Sequence, residues 1–237
     1  MEIWYNTVDP TGRGEEELKT RCFIAGAGEY TGMVTPGQGD YIIAADGGYA
    51  KIAALGIAPD LVVGDFDSLG AVPDHPNVMR SPAEKDDTDM MLAVRQGLER
   101  GYKTFLIDGG LDGRLDHTIA NFQILAYLAQ SGARGVLLGR EMCVTAFTDG
   151  AVRFLPGQVA SGDGPAERIS VFCWGDTAIG VTLTGLKYRL ENAKLECSYP
   201  LGVSNEFTQA PASITVRAGT LIITWTGGIG RLEAVEK

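Results

Sequence analysis

Asp65 and Asp67 stand one residue apart in DLVVGDFDSLG, residues 60–70, directly after an apolar run and a glycine. Burying an unpaired carboxylate is expensive. A pair delivered to the end of a buried strand therefore needs a cation, a helix cap or open water. A second acidic group follows in SPAEKDDTDMM, residues 81–91, where Glu84, Asp86, Asp87 and Asp89 surround one lysine, Lys85. Thr88 or Asp87 can cap the helix that begins there, and acidic residues suit a first turn. That accounts for one or two of the carboxylates. Two like charges ~4 Å apart repel by about 4 kcal/mol at an effective dielectric of about 20, so the remaining density calls for a divalent cation. Oxygen donors without His or Cys select Mg²⁺, Mn²⁺ or Ca²⁺.

A third stretch, DGGLDGRLDHTIANF, residues 108–122, places Gly109 and Gly110 after an apolar run and ahead of a helix. Glycines let backbone N–H groups approach a phosphate, and the helix N-terminus favours the same anion. Arg114 adds a cation able to bind two phosphate oxygens at once. Asp116, His117 and Asn121 occupy the first turns, with His117 and Asn121 on one face at i, i+4 spacing. His117 is not assigned as a general base. Acidic ligands, glycine loops and an arginine together point to Mg²⁺-dependent chemistry on a nucleotide polyphosphate. Neither a G-x-x-x-x-G-K-[ST] phosphate loop nor a G-x-S-x-G elbow is present.

These residues need a scaffold. Up to about residue 150 the chain alternates apolar runs (CFIAGAG, YIIAADGG, DLVVGDFDS, TFLIDGG, GVLLG) with amphipathic stretches, as parallel α/β units do. The helical stretches are YAKIAALG; TDMMLAVRQGLERG, with Met90, Met91, Val94 and Leu98 on one face; and LDHTIANFQILAYLAQSG, with Ile119, Phe122, Leu125 and Ala129 on one face. Asp46, Asp65 with Asp67, and Asp108 then each follow a strand at the carboxyl edge of the sheet, where open parallel sheets bind ligands. Capping explains some of them, but is a poor account of three strand ends in succession.

Beyond residue 150 the segments ERISVFCWG, IGVTLTG, KYRLE, KLECSY and SITVRAGTLIITWTG are short, β-branched and partly alternating, without a helical period. The stretch DGAVRFLPGQVASGDGPAE marks the change and reads as loop-rich. The expected fold is α/β: a doubly wound, mainly parallel N-terminal sheet domain, residues 1–150, followed by a smaller all-β sandwich domain, residues 151–237.

With 237 residues, 45% of them hydrophobic, the chain can bury a full core. Thirty acidic against twenty basic residues give a net charge of -10, which disfavours nucleic acid and anionic membranes as partners. Cys22, Cys143, Cys173 and Cys197 are scattered, with no C-x-x-C pair, and read as reduced structural thiols. No apolar run approaches the roughly 20 residues of a membrane span. The opening residues are polar and lack the basic start and apolar core of a signal peptide, so a cytoplasmic location is expected.

Six motifs in order carry a family resemblance: DGG at Asp46, GDFDS at residues 64–68, EKDDTD at 84–89, GGLDGRLDH at 109–117, TGLKYRLEN at 184–192 and LGVSNEF at 201–207. Together they resemble thiamine pyrophosphokinase over about residues 22–226. The resemblance implies Mg²⁺-dependent transfer of the pyrophosphoryl group of ATP to the hydroxyl of thiamine, giving thiamine diphosphate and AMP. It implies Asp65, Asp67 and Asp89 as metal ligands, with Asp46 near the metal or the thiamine hydroxyl. It implies Lys85 and Arg114 on phosphate oxygens, with Asp86 and Thr88 ordering the loop. Gly109, Gly110, Asp116 and His117 complete the ATP site. A homodimer is implied as well, with thiamine held between the α/β domain of one chain and Ser204 and Asn205 of the other, and Phe207 as candidate for stacking on a thiamine ring. A Mg²⁺-dependent phosphohydrolase fits less well, because it needs a nucleophilic first aspartate with a small-residue turn after the pair, which DFDSLG with EKDDTD and an all-β second domain match poorly. A non-catalytic nucleotide or thiamine sensor would dispense with the metal ligands.

Overall fold

The computed structural model describes residues 21–66, 70–81, 86–156 and 167–236. Two compact units divide between Arg140 and Glu141. The residue texture changes visibly only after Gly150, because the strand that opens the second unit begins at Met142 and is apolar at its start.

The first unit holds six parallel strands: β1 (Cys22–Ala25), β2 (Tyr41–Ala45), β3 (Leu61–Gly64), β4 (Val78–Arg80), β5 (Thr104–Asp108) and β6 (Arg134–Leu138). Their order is β4-β3-β2-β1-β5-β6. Ile24 of β1 pairs with Ile43 on one side and Ile107 on the other. After β1 the chain turns toward β2, and after β5 toward β6, so the winding reverses between β1 and β5. The carboxyl ends of strands at such a reversal frame a crevice. β1, β3 and the last four residues of β5 are fully buried, which is why they read as continuous apolar runs rather than alternating ones. β4, three residues at the edge, was too short to show in the sequence.

Three helices connect the strands. α1 (Gly48–Ala54) packs on β1 and β2, α2 (Asp89–Glu99) on β1, β2 and β3, and α3 (Leu115–Gln130) on β6. α2 buries Met90, Ala93, Val94 and Gly97, so its inner stripe is rotated slightly from the expected one, leaving Met91 and Leu98 half-buried. The small residues are needed there: a β-carbon on Gly97 would come within 2.9 Å of Cys22 Sγ. On α3 the buried set is Asn121, Ile124, Leu125, Leu128 and their neighbours, while Ile119, expected inside, is exposed.

The second unit is antiparallel and built on three long strands, β7 (Met142–Phe154), β8 (Arg168–Thr184) and β11 (Ala212–Thr226), with β9 (Leu190–Glu196), β10 (Gly202–Glu206) and β12 (Leu232–Glu236) beside them. Of the segments expected from the sequence, ERISVFCWG and IGVTLTG are the two halves of β8, SITVRAGTLIITWTG is β11, and KYRLE and KLECSY overlap the two ends of β9; residues 149–154, at the head of the stretch expected to be loop-rich, belong to β7. The ladder between β11 and β7 shifts register between Val216 and Thr220, and that between β11 and β8 between Ala218 and Thr220. Gly219, at φ 114°, sits in the shift. Bulges of this kind bend a strand and interrupt its alternation. The shifts divide the long strands into two half-sets: one pairs with β10 through the start of β8, and the other pairs with β9 through the end of β8 and with β12 through the end of β7. Phe154 of the latter half-set packs edge-on against Trp225 of the former, ring centroids 5.2 Å apart, so the two arrays face each other over an aromatic core.

Candidate active site

A cavity of about 340 Å³ opens at the carboxyl ends of β1, β2 and β5, against the starts of α2 and α3, and lies wholly within the first unit. Gly26, Asp46, Asp89, Gly109, Arg114 and His117 are in its lining. Gly109 adopts φ 73°, and a β-carbon on Gly26 would come within 2.7 Å of the Gly109 carbonyl oxygen. The two glycine turns therefore lie in backbone contact. Gly26 N–H donates to the Asp108 carbonyl at 2.7 Å and Gly28 N–H to that of Gly109 at 2.9 Å.

The carboxylates reach the edge in different ways. Asp46 occupies the left-handed region at φ 47°, a conformation rare outside glycine that Asp tolerates better than most. It is fixed by donating its N–H to Val63 at 2.8 Å and accepting from Tyr49 N–H at 3.1 Å. Gly64 leaves the room this needs, since a β-carbon there would stand 3.2 Å from Asp46 Cα. Half-buried Asp65 follows β3 and lies outside the cavity lining. The next residue, Phe66, is also left-handed, at φ 64°, and only 2% exposed. The buried ring anchors the chain as it leaves β3, a role its place between two aspartates does not announce. Asp67, Glu84 and Lys85 lie outside the described residues.

The second acidic group is less crowded than its sequence suggests. Asp87 pairs with Arg95 at 3.0 Å and Asp86 is exposed. Thr88 is the N-cap of α2, its hydroxyl accepting Met91 N–H at 3.1 Å. Asp89 is thus released from capping; it lines the cavity and accepts from Ser81 Oγ at 3.4 Å. Asp108, by contrast, does not point into the cavity as a ligand would. It is fully buried and accepts hydrogen bonds from Thr31 and Gly109. Burial pushes its carboxyl above the usual range, against the pull of those donors.

α3 begins without a side-chain cap. Arg114, at the cap position, is exposed and holds Asp116 at 2.6 Å; the shared hydrogen bond pushes the guanidinium up and the carboxyl down. Asp116 also accepts His117 N–H at 3.0 Å. Its place is therefore beside Arg114, outside the cavity lining, whereas His117 is exposed within it. Two further α3 residues tie the glycine loop down: Thr118 Oγ1 donates to the Leu111 carbonyl at 2.8 Å and Asn121 Nδ2 to that of Gly110 at 2.6 Å. Thr118 escaped the sequence reading, although its i, i+3 spacing from Asn121 puts both on one face.

Among the described residues no three His, Cys, Asp or Glu side chains form a metal cluster. The carboxylates that reach the cavity, Asp46 and Asp89 among them, are hard oxygen donors, and no thiol is in the lining, which fits Mg²⁺ rather than a softer metal.

In the second unit Ser204 is exposed and left-handed, at φ 59°. Asn205 is buried: its Oδ1 accepts Tyr188 N–H at 2.9 Å and its Nδ2 donates to the Tyr188 carbonyl at 2.6 Å. Phe207 is 6% exposed and packs on Phe154 with centroids 5.6 Å apart, so its ring belongs to the core rather than to an open stacking surface.

Two family models match the chain in order: the thiamin pyrophosphokinase catalytic domain over residues 37–137 and the thiamin pyrophosphokinase vitamin B1 binding domain over residues 159–221. The chain belongs to the thiamine pyrophosphokinase family. This family forms thiamine diphosphate in an ATP-dependent reaction, and the chain is accordingly an enzyme of the transferase class. A thiamine pyrophosphokinase of Bacillus subtilis is 28% identical over 187 residues, covering 76% of this chain and 85% of that relative. A crystal structure of thiamine pyrophosphokinase from B. subtilis superposes with a TM-score of 0.75 at 27% identity, covering 88% of this chain and 99% of that one. One from Geobacillus thermodenitrificans gives 0.73 at 26% identity, covering 90% and 100%. In thiamine pyrophosphokinase terms the cavity lining from Ala45 to Asn121 falls within the matched catalytic domain, whereas Gly26, Ala27 and Gly28, the glycine segment after β1, precede the match, which begins at residue 37.

Proposed function

We infer that the chain transfers the terminal pyrophosphoryl group of ATP to the primary hydroxyl of thiamine with Mg²⁺, releasing AMP and thiamine diphosphate. One observation carries the reading: a cavity at the sheet's winding reversal brings together glycine turns, the uncapped start of α3 with Arg114, and the carboxylates of Asp46 and Asp89. In this class of reaction the protein mainly aligns the reactants and balances charge. The Gly109 and Gly110 backbone and the α3 start, with His117 beside them, receive the phosphates. Arg114, steadied by Asp116, and Lys85 neutralise them. Asp65, Asp67 and Asp89 hold Mg²⁺, which supplies charge neutralisation on the phosphate oxygens, and Asp46 faces the metal or the thiamine hydroxyl. Thr88 and Asp86 order the loop before α2.

In this reading the α/β unit is the nucleotide-binding catalytic domain and the β unit is the thiamine-binding and dimerisation domain. Ser204 and Asn205 then contact thiamine across a homodimer, with Asn205 already committed to Tyr188 and Phe207 supporting the segment from below. Among the described residues no helix is long and apolar enough to cross a membrane, in keeping with the cytoplasmic location we assign.

The deciding assay incubates the protein with ATP, Mg²⁺ and thiamine. AMP appearing in step with thiamine diphosphate supports the reading; phosphate alone would make the chain a phosphohydrolase, and no turnover a binding protein. EDTA should stop the reaction and added Mg²⁺ restore it. Asp67→Asn should cost on the order of a hundredfold or more in turnover while leaving the fold intact.

A further inference from the structure

Asp108 ends β5, is fully buried, and has no part in the reaction just described. The strand does not need its charge: Phe105, Leu106 and Ile107 before it are buried and apolar. A carboxylate in such a place is costly unless it is matched by donors, and the donors that match it come from one segment and its own neighbour. The Asp108 carbonyl accepts Gly26 N–H at 2.7 Å. Its carboxylate takes the other end of the same segment, Oδ1 accepting Thr31 N–H and Oδ2 the Thr31 hydroxyl, each at 2.8 Å. Gly109 N–H, also at 2.8 Å from Oδ1, sets the orientation of the side chain. Between the two ends, Gly28 N–H donates to the Gly109 carbonyl at 2.9 Å and Glu29 N–H to that of Asp112 at 3.3 Å. Gly26, Ala27 and Gly28, the residues held between these ties, line the cavity.

We propose that Asp108 is a positioning residue for the nucleoside triphosphate: through Thr31 it clamps residues 26–31 against 108–112, so that this wall of the cavity is in place before the nucleotide arrives. The inference rests on the nucleotide reading of the cavity. If the clamp is weakened so that the wall is in place only about a tenth of the time, the apparent affinity falls about tenfold, because ligand binds only the competent fraction.

Asp108→Ala would strand several buried donors and endanger folding, so the test uses Thr31, which is half-buried. Thr31→Val removes the hydroxyl at nearly constant volume and Thr31→Ser retains it. For each full-length protein, calorimetric binding of ATP in Mg²⁺, amide exchange of residues 26–33, thermal unfolding and steady-state kinetics are measured. Thr31→Val should bind ATP about tenfold more weakly and exchange faster across 26–31, with its unfolding midpoint lowered only by the loss of one buried hydrogen bond and the protein folded at the assay temperature. Its KM for ATP should rise in parallel, while kcat at saturating ATP and KM for thiamine stay at wild-type values. Thr31→Ser should restore affinity. Wild-type affinity in Thr31→Val, with or without faster exchange or a lower melting point, would overturn the clamp's role. Failure of the wild-type protein itself to bind ATP would overturn the nucleotide reading, a result distinct from any behaviour of the variants.

Discussion

Asn121 donates its side-chain amide to the Gly110 carbonyl at 2.6 Å from a buried position on α3, so the helix holds the very loop that precedes it. That bond fixes the peptide between Gly110 and Leu111, which follows the left-handed Gly109 and lines the cavity with it. Asn121→Ala leaves a buried carbonyl without its donor, which should lower stability by about 1–3 kcal/mol. Turnover should fall by roughly ten- to a hundredfold through misplacement of the phosphate loop. Urea unfolding and initial rates on the same preparation separate the two effects.

Thr88 and Asp89 are adjacent but divide two tasks. The Thr88 hydroxyl caps α2, so Thr88→Ala should cost about 1 kcal/mol of stability. Asp89 is not the cap and faces the cavity. Asp89→Asn should leave the melting temperature near that of the wild type and reduce turnover by roughly a hundredfold or more if it holds the metal. A variant that melts early and keeps its rate per folded molecule would return Asp89 to a structural role.

The parallel half was legible because strands buried on both faces are continuous apolar runs, and because the D-x-D pair, the acidic group before α2 and the glycine–arginine stretch declare themselves by residue type. Their destinations were not legible. Asp108 and Asp46 look alike at strand ends, yet Asp108 is claimed by Thr31, 77 residues away, a distance over which no periodicity reports. Asp87 looked like part of one cation site until Arg95, two turns along α2, took it. In the β half, the stretch of β8 around Gly175, at φ 104°, divided one long strand into what read as two short ones, and Phe207 looked like a ligand-stacking ring because nothing local says which face of the sandwich it enters.

The buried Asp108 carboxyl predicts a pH dependence. Burial raises its folded pKa above the ordinary value of 3.8, so the fold favours the protonated form. Its favourable contribution is complete below that value and is lost as pH rises through the folded pKa. Asp108→Asn cannot titrate. The stability of wild type minus that of the variant should therefore decrease as pH rises from 3.8 and level off once Asp108 is ionised. Paired denaturant titrations across that range check it; a difference that grows with pH would mean the hydrogen-bond donors outweigh burial.

Ser204, Asn205 and Phe207 stand almost side by side but should fail differently when altered. Asn205→Ala removes the bonds that join β10 to the Tyr188 backbone and leaves buried partners unsatisfied, which should cost roughly 2–3 kcal/mol. Phe207→Ala empties the space beside Phe154 and should cost about 3–5 kcal/mol. Both should lower the melting temperature before any effect on thiamine is read. Ser204 is exposed and carries no such burden, so Ser204→Ala should leave the melting temperature and KM for ATP unchanged while raising KM for thiamine. If the thiamine site is shared across a homodimer, a bulky Ser204→Tyr chain and an Asp67→Asn chain should each be nearly inactive alone. Dissociated and re-associated together they should regain activity, because one of the two shared sites in a heterodimer contains neither change. No recovery in a sample shown by mass to contain heterodimer would place thiamine binding within a single chain.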